Sequence, residues 1–310
     1  MTHQFPKQTV AVDLKAVESA NLFIMEPHHS TRIPVGKFPP PIIVPPLQSP
    51  HQHTIIFLHG RGSNASKFHG PLLNTSTGEH TFQEAFPHAR FVFPTAPMSR
   101  ATKYARMLIH QWFDGSGDWE SDARGGMAPS IEYIQTLVQN EIEMVGGDSQ
   151  RVVLAGLSQG CATTLMSMLL WERQPLGAVV GLCGYMPICS HLQSIVDEDG
   201  RRGGDDDIFE RDEGLALKTP LQRVVDELRE EAELAPVANP SDLRRLSTPV
   251  FLGHGRLDPQ VDVQQAVHAS ELLDRLGVSV ESHIYEGLGH WYSGEMLRHV
   301  EQFLKKHLDS

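Results

Sequence analysis

Short apolar runs, each closed by glycine or proline, recur along the chain from residue 54 onward. Thr54 to Leu58 ends in His59-Gly60-Arg61-Gly62, Arg90 to Phe93 stops at Pro94, and Arg151 to Ala155 runs into Gly156. Ala178 to Cys183, Pro249 to Leu252 and Val278 to Tyr285 take the same form, giving way to Gly184, Gly253 and Gly287. Apolar runs without polar alternation predict strands buried on both faces, hence a mostly parallel sheet covered by helices. Between the runs, Ile131, Ile134, Val138, Ile142 and Val145 recur at three- and four-residue spacing, as apolar residues also do over Val261 to Leu276 and Glu295 to Leu308. That period predicts amphipathic helices. Gln159 to Trp171 is apolar nearly all round, which predicts a helix deep in the protein. Strands alternating with helices in this way predict an α/β fold with a mostly parallel, doubly wound sheet.

Two segments stand outside that rhythm. Residues 1–50 are punctuated by Pro27, Pro34, Pro39, Pro40, Pro41, Pro45, Pro46 and Pro50. They predict an extended Pro-rich arm with one edge strand near Ile42 to Val44, leaving 51–310 as the folded domain. The second segment, 190–245, reads as an acidic insertion in that domain. Over 197–233 it holds 14 Asp/Glu against 6 Lys/Arg. Asp199 to Asp207 reads as a solvated, flexible loop. Thr219 as N-cap, Pro220 at the first helical position and Gln222 completing a capping box then predict a helix. Its stripe of Leu221, Val224, Val225 and Leu228 must be buried, either against the body of the domain or as a lid over a cleft.

Composition narrows the function classes. A chain with 40% hydrophobic and 21% charged residues is not disordered throughout. A net charge of -12 with no Lys/Arg-rich run argues against nucleic acid as a partner. No apolar run approaches the ~18–20 residues that span a bilayer, so stable membrane insertion is not expected. The first residues lack the pattern of a secretory signal, and Cys161, Cys183 and Cys189 lie in or beside apolar stretches as reduced thiols do. The expectation is therefore a cytoplasmic protein. His28, His29, His51 and His53 have no Cys or carboxylate at ligand spacing, so no metal is expected.

The chemistry centres on Gly156-Leu157-Ser158-Gln159-Gly160, which follows a predicted buried strand and opens an apolar helix. That context is the strand–turn–helix of a nucleophile elbow, whose glycines let the backbone turn sharply and expose the serine. A serine hydroxyl needs a base within hydrogen-bond reach and a carboxylate behind it. Asp258 follows the fifth strand and His290 the sixth, in the order Ser, Asp, His that this arrangement uses. Both leave the carboxyl end of a strand, where catalytic groups collect in open α/β sheets. Rival acids are Asp262 and Glu286, and rival histidines are His254, His283 and His299. Acyl transfer also needs donors aimed at the developing oxyanion. The backbone N–H groups of Gln159 and Arg61 are the expected pair.

Leu58-His-Gly, Pro94-Thr-Ala-Pro97, Trp112-Phe-Asp114, Gly156-Leu-Ser-Gln-Gly160, Gly184-Tyr-Met-Pro187, His254-Gly-Arg-Leu-Asp258 and Gly289-His290 occur in the order seen in the phospholipase/carboxylesterase family. The sequence from about Ile55 to Leu308 resembles that family, which includes the acyl-protein thioesterases. The resemblance implies an α/β-hydrolase fold, a triad of Ser158, Asp258 and His290, and cofactor-free cleavage of acyl esters or thioesters, from a small molecule or an acylated protein. It also implies an apolar acyl groove, which Trp112, Phe113, Leu157 and Met186 are expected to line. Arg61 stands where the thioesterase members have an apolar residue, and Trp291 where a small or polar one often follows the histidine. The acidic insertion and the Pro-rich arm have no counterpart in the compact members. Alternative readings are a hydrolase of one small metabolite ester, a peptidase on the same fold, and a non-catalytic binding protein on a hydrolase scaffold.

Overall fold

The computed structural model describes residues 36–115, 126–202, 218–235 and 247–308. Most of the Pro-rich arm, the end of the predicted acidic loop and residues 236–246 lie outside the described residues. Nine strands are described: β1 (Ile42–Val44), β2 (His53–Leu58), β3 (Ala89–Phe93), β4 (Met98–Ala101), β5 (Met107–His110), β6 (Val152–Leu157), β7 (Ala178–Leu182), β8 (Val250–Gly255) and β9 (Val280–Tyr285). Seven of them form one sheet in the order β1-β3-β2-β6-β7-β8-β9. β1 pairs antiparallel with β3 at one edge, and every other pair in the sheet is parallel.

The unbroken apolar runs arise because the sheet is covered on both sides. Ile55 and Phe57 of β2 face one layer with Phe91 and Phe93 of β3, while Ile56 and Leu58 face the other with Val92. The first layer is closed by α1 (Ala65–Leu73) through Phe68 and Leu72, and by α7 (Gly294–Leu308) through Met296, Val300 and Phe303. The second is closed by α2 (Ala128–Met144), α3 (Gln159–Leu169) and α6 (Val263–Arg275). Each strand of the centre therefore alternates between two cores rather than between core and water.

The insertion departs from the reading of its first half. A helix, α4 (Cys189–Arg202), continues through Asp199 to Arg202, where the sequence reads as loop. Leu192 and Val196 lie on one face of it and, with Ile188 and Cys189, join the core. The next described helix, α5 (Pro220–Glu231), has the expected capping box, with Thr219 and Gln222 exchanging side-chain and backbone bonds. Its stripe of Leu221, Val224, Val225 and Leu228 is buried in the same core cluster as the α4 residues. His191 of α4 and Glu227 of α5 pair at 2.9 Å on the outside of this contact. The described part of the insertion is thus packed on the body of the domain.

Candidate active site

Ser158 sits between β6 and α3 at φ 58° and ψ -120°, a left-handed backbone conformation that costs a non-glycine residue of order 1–3 kcal/mol. The turn is tight enough to exclude side chains on either side. A Cβ on Gly160 would lie 2.5 Å from the Leu58 carbonyl oxygen, and one on Gly156 would overlap the Gly160 carbonyl. The strain is held by the Ser158 N–H, which donates to the Leu182 carbonyl of β7 at 2.8 Å. The hydroxyl is thereby presented beyond the carboxyl end of the sheet.

The loops after β8 and β9 bring Asp258 and His290 to it. The Ser158 hydroxyl donates to Nε2 of His290 at 2.9 Å, and Nδ1–H of His290 donates to Oδ2 of Asp258 at 2.6 Å. The Asp258 side chain has no exposed surface. Burial alone would raise its carboxyl, but donors converge on it from His254 and His290 and from the Val261 and Gln260 backbone. Gln260 and Val261 donate to Oδ1 at 2.8 and 3.0 Å, while Nε2 of His254 lies 3.2 Å from Oδ2. Together these hold the carboxyl well below the usual range, so it stays ionised.

The rival residues have other partners. Asp262 caps α6 by accepting from the Gln264 N–H, and Glu286 pairs with Arg256. His283 bonds Glu281, and Nδ1 of His299 shares a hydrogen bond with the Tyr285 hydroxyl. His254, a rival in the sequence, supports Asp258 from behind and bonds the Val261 carbonyl at 3.0 Å. Spacing alone does not mark this role, because His254 stands at the end of β8 and the chain turns before Asp258.

The loop His59-Gly60-Arg61 lies directly against the elbow. A Cβ on Gly60 would come within 3.2 Å of the Ser158 Cβ. A chain of buried bonds fixes it there. The His59 Nδ1–H donates to the Gly60 carbonyl at 2.8 Å, and Nε2 accepts from the Ala96 N–H at 3.0 Å. Trp112 donates its indole N–H to the His59 carbonyl at 2.8 Å. The Gln159 side chain, almost fully buried, accepts from the Trp112 N–H at 3.0 Å and donates to the Phe113 carbonyl at 2.8 Å. The side-chain roles of His59, Trp112 and Gln159 escape a reading of motifs alone, because all three point into the protein rather than at a reactant.

A cavity of about 190 Å³ opens on Ser158 and His290. Arg61 and Gln159 line it, as the sequence predicts for neighbours of the nucleophile, and so does Leu157. Trp112, Phe113 and Met186 do not: all three are buried in the core, and among the described residues none reaches the cavity wall. The apolar wall is built instead by Phe68, Tyr185, Val261 and Trp291. Phe113 meets the site indirectly, its ring 5.9 Å beneath the Arg61 guanidinium carbon. No residue of α4 or α5 lines the cavity, so the described insertion does not cover it.

The sequence profile of the phospholipase/carboxylesterase family matches residues 41–201 and 232–308, with its interruption inside the acidic insertion. Acyl-protein thioesterase 1 of Gibberella zeae is 29% identical over 273 residues, covering 86% of this chain and 95% of that protein. Carboxylesterase SOBER1 of Arabidopsis thaliana is 25% identical over 262 residues, covering 82% and 90%. Among solved structures, Zea mays acyl-protein thioesterase 2 superposes with a TM-score of 0.60 at 22% identity, over 86% of this chain and 98% of that one. That likeness is one of fold, and it is the α/β-hydrolase fold. With the family profile matching most of its length, this chain belongs to the phospholipase/carboxylesterase family.

Proposed function

We propose that this enzyme hydrolyses carboxylic esters or thioesters through an acyl-enzyme on Ser158, with His290 as general base and Asp258 as its orienting carboxylate. The observation that carries the reading is the row of two bonds, 2.9 and 2.6 Å, from the Ser158 hydroxyl through His290 to a buried, ionised Asp258. Ser158 Oγ forms a bond to the substrate carbonyl carbon as its proton passes to Nε2 of His290. The tetrahedral oxyanion lies toward the backbone N–H groups of Arg61 and Gln159, each such donor worth about 2.7–4 kcal/mol in this chemistry. Collapse breaks the bond to the alcohol or thiol, which leaves with the proton from His290. Water then repeats the cycle on the acyl-enzyme and releases the acid. The steps need no cofactor.

The cleft is open to solvent, so its volume of about 190 Å³ sets no limit on acyl length, and both a small ester or thioester and an acylated protein stay within the reading. The intact row of Ser158, His290 and Asp258 speaks against a non-catalytic binder, and no observation favours a peptidase. The three thiols are free, in keeping with a reducing compartment, and no described helix is long and apolar enough to cross a membrane. We place the reaction in the cytoplasm on that basis.

A fluorophosphonate probe tests the assignment. It should label Ser158, and Ser158→Ala should abolish labelling together with turnover, by up to ~10⁶ in rate if the three residues act as a unit. Labelling that persists in Ser158→Ala would overturn the assignment.

A further inference from the structure

Cys183 is the first residue past β7, and its backbone lies at φ 47°, in the left-handed region that favours glycine. A fully buried side chain is kept there although glycine would suit the backbone better. An outlier of this kind beside a reactive centre is retained for what its side chain does. The Cys183 thiol donates to the Trp291 carbonyl at 3.2 Å, one residue past His290. Burial pushes the thiol up to about 12, and the nearby Asp258 charge acts in the same direction, so the group keeps its proton and remains a donor. The cysteine is itself fixed, because its N–H donates to the Gly253 carbonyl of β8 at 2.8 Å. One residue earlier, the Leu182 carbonyl accepts from the Ser158 N–H at 2.8 Å. Leu182 and Cys183 thus hold the nucleophile through a carbonyl and the loop of the base through a thiol.

His290 stands on the loop between β9 and α7, which neither strand nor helix stiffens. The start of that loop is tied by the Leu257 N–H, which donates to the Leu288 carbonyl at 2.9 Å. It also lies close on Gly255, where a Cβ would come 2.5 Å from the Gly289 carbonyl oxygen. The far end is tied by Cys183. Between the two ties, one imidazole must meet Ser158 at 2.9 Å and Asp258 at 2.6 Å at once. A shift of about 1 Å in such a row costs on the order of 10²-fold in rate. We infer that Cys183 is a positioning residue of the triad: its S–H, through the Trp291 carbonyl, holds the His290 loop in register with the elbow that Leu182 holds. This rests on the acyl-enzyme reading above and adds a residue to it.

Three variants test it, with p-nitrophenyl acetate as the substrate. Cys183→Ser keeps a donor, whereas Cys183→Ala and Cys183→Gly remove it. Glycine also suits the left-handed backbone, so it separates the loss of the bond from any strain and decides the matter if the alanine variant fails to fold. In the alanine and glycine variants kcat should fall by about tenfold or more while KM stays within about twofold, because what is lost is alignment rather than binding. The serine variant should return to within about threefold of the parental kcat. The proton shared by His290 and Asp258 should give a far-downfield NMR resonance in the parent and the serine variant, weakened in the other two. A parental kcat in Cys183→Gly overturns the inference. So does a serine variant as slow as glycine, a loss that falls mainly on KM, or a downfield resonance equally strong in all four proteins. Fluorophosphonate labelling that persists in Ser158→Ala removes the acyl-enzyme reading and this one with it. Labelling lost in Ser158→Ala, together with a parental kcat in Cys183→Gly, removes this one alone.

Discussion

His59 and Ala96 are joined by a hydrogen bond that only one histidine tautomer allows. The Ala96 N–H can only donate, so Nε2 of His59 accepts at 3.0 Å and Nδ1 holds the proton given to the Gly60 carbonyl. Burial pushes this imidazole down from 6.5 to about 4, against the opposing pull of the Gly60 bond. The folded value lies below the unfolded one, so the stabilisation is complete above pH ~6.5 and is lost as pH falls toward ~4. The whole effect is about 3 kcal/mol. The midpoint of urea unfolding should therefore drop between pH 6.5 and 4. His59→Gln, which keeps an acceptor and cannot ionise, should show a shallower drop, and equal slopes for the two proteins would refute the role.

Asp258 makes a different pH prediction. Its carboxyl is held below the usual range by His254, His290 and two backbone donors, against the burial that would raise it. It should stay ionised throughout the range above pH 4. The acid limb of kcat/KM should then follow the uptake of one proton, by the imidazole base, and a two-proton limb would contradict this. Asp258→Asn keeps the shape but can present an N–H to Nδ1 of His290, which favours the wrong tautomer. We expect kcat to fall by about 10⁴ with the fold retained by circular dichroism.

Much of this was legible in the sequence because burial on both faces leaves a plain signature. β2, β6, β7 and β8 are unbroken apolar runs, and each is followed by residues that reach the site. Ser158 follows such a run directly and Asp258 comes three residues after β8. His290 instead follows β9, a half-exposed edge strand with polar positions at Glu281, Ser282 and His283, and is legible from its place in the Ser, Asp, His order. The hairpin β4–β5 left no such mark. Met98-Ser-Arg-Ala101 and Met107-Leu-Ile-His110 are four residues each, and Met107 and Leu108 are exposed. α1 was hidden by Gly70-Pro71 near its end, where the ring sits in the last turn of the helix. Trp112, Phe113 and Met186 were misplaced because an aromatic or sulfur side chain beside a catalytic motif packs the core as readily as it faces a substrate.

The insertion gives a prediction about stability separate from chemistry. Leu228 of α5 is fully buried with Val224 against the α4 residues, and neither helix lines the cavity. Leu228→Ala should cost about 2–5 kcal/mol by transfer and cavity terms if α5 unfolds with the rest of the domain. Thermal unfolding measures the loss, while kcat at 25 °C should match the parent enzyme. A fall in kcat without a change in melting temperature would mean that α5 acts on the site after all.

Gln159 carries the sharpest test of how the elbow and the oxyanion loop are coupled. Its amide oxygen takes the Trp112 N–H and its amide nitrogen gives to the Phe113 carbonyl, while the Trp112 indole holds the His59 carbonyl. Gln159→Leu fills similar space but leaves two buried backbone groups without partners, at about 1–3 kcal/mol each. Loosening Trp112 also frees the loop that presents the Arg61 N–H, so the loss should fall on kcat more than on KM. Gln159→Glu sharpens the comparison, because its carboxylate still accepts from Trp112 but opposes the Phe113 carbonyl. If leucine and glutamate variants both turn over at the parental rate, the side chain is not what holds the two halves of the oxyanion site in register.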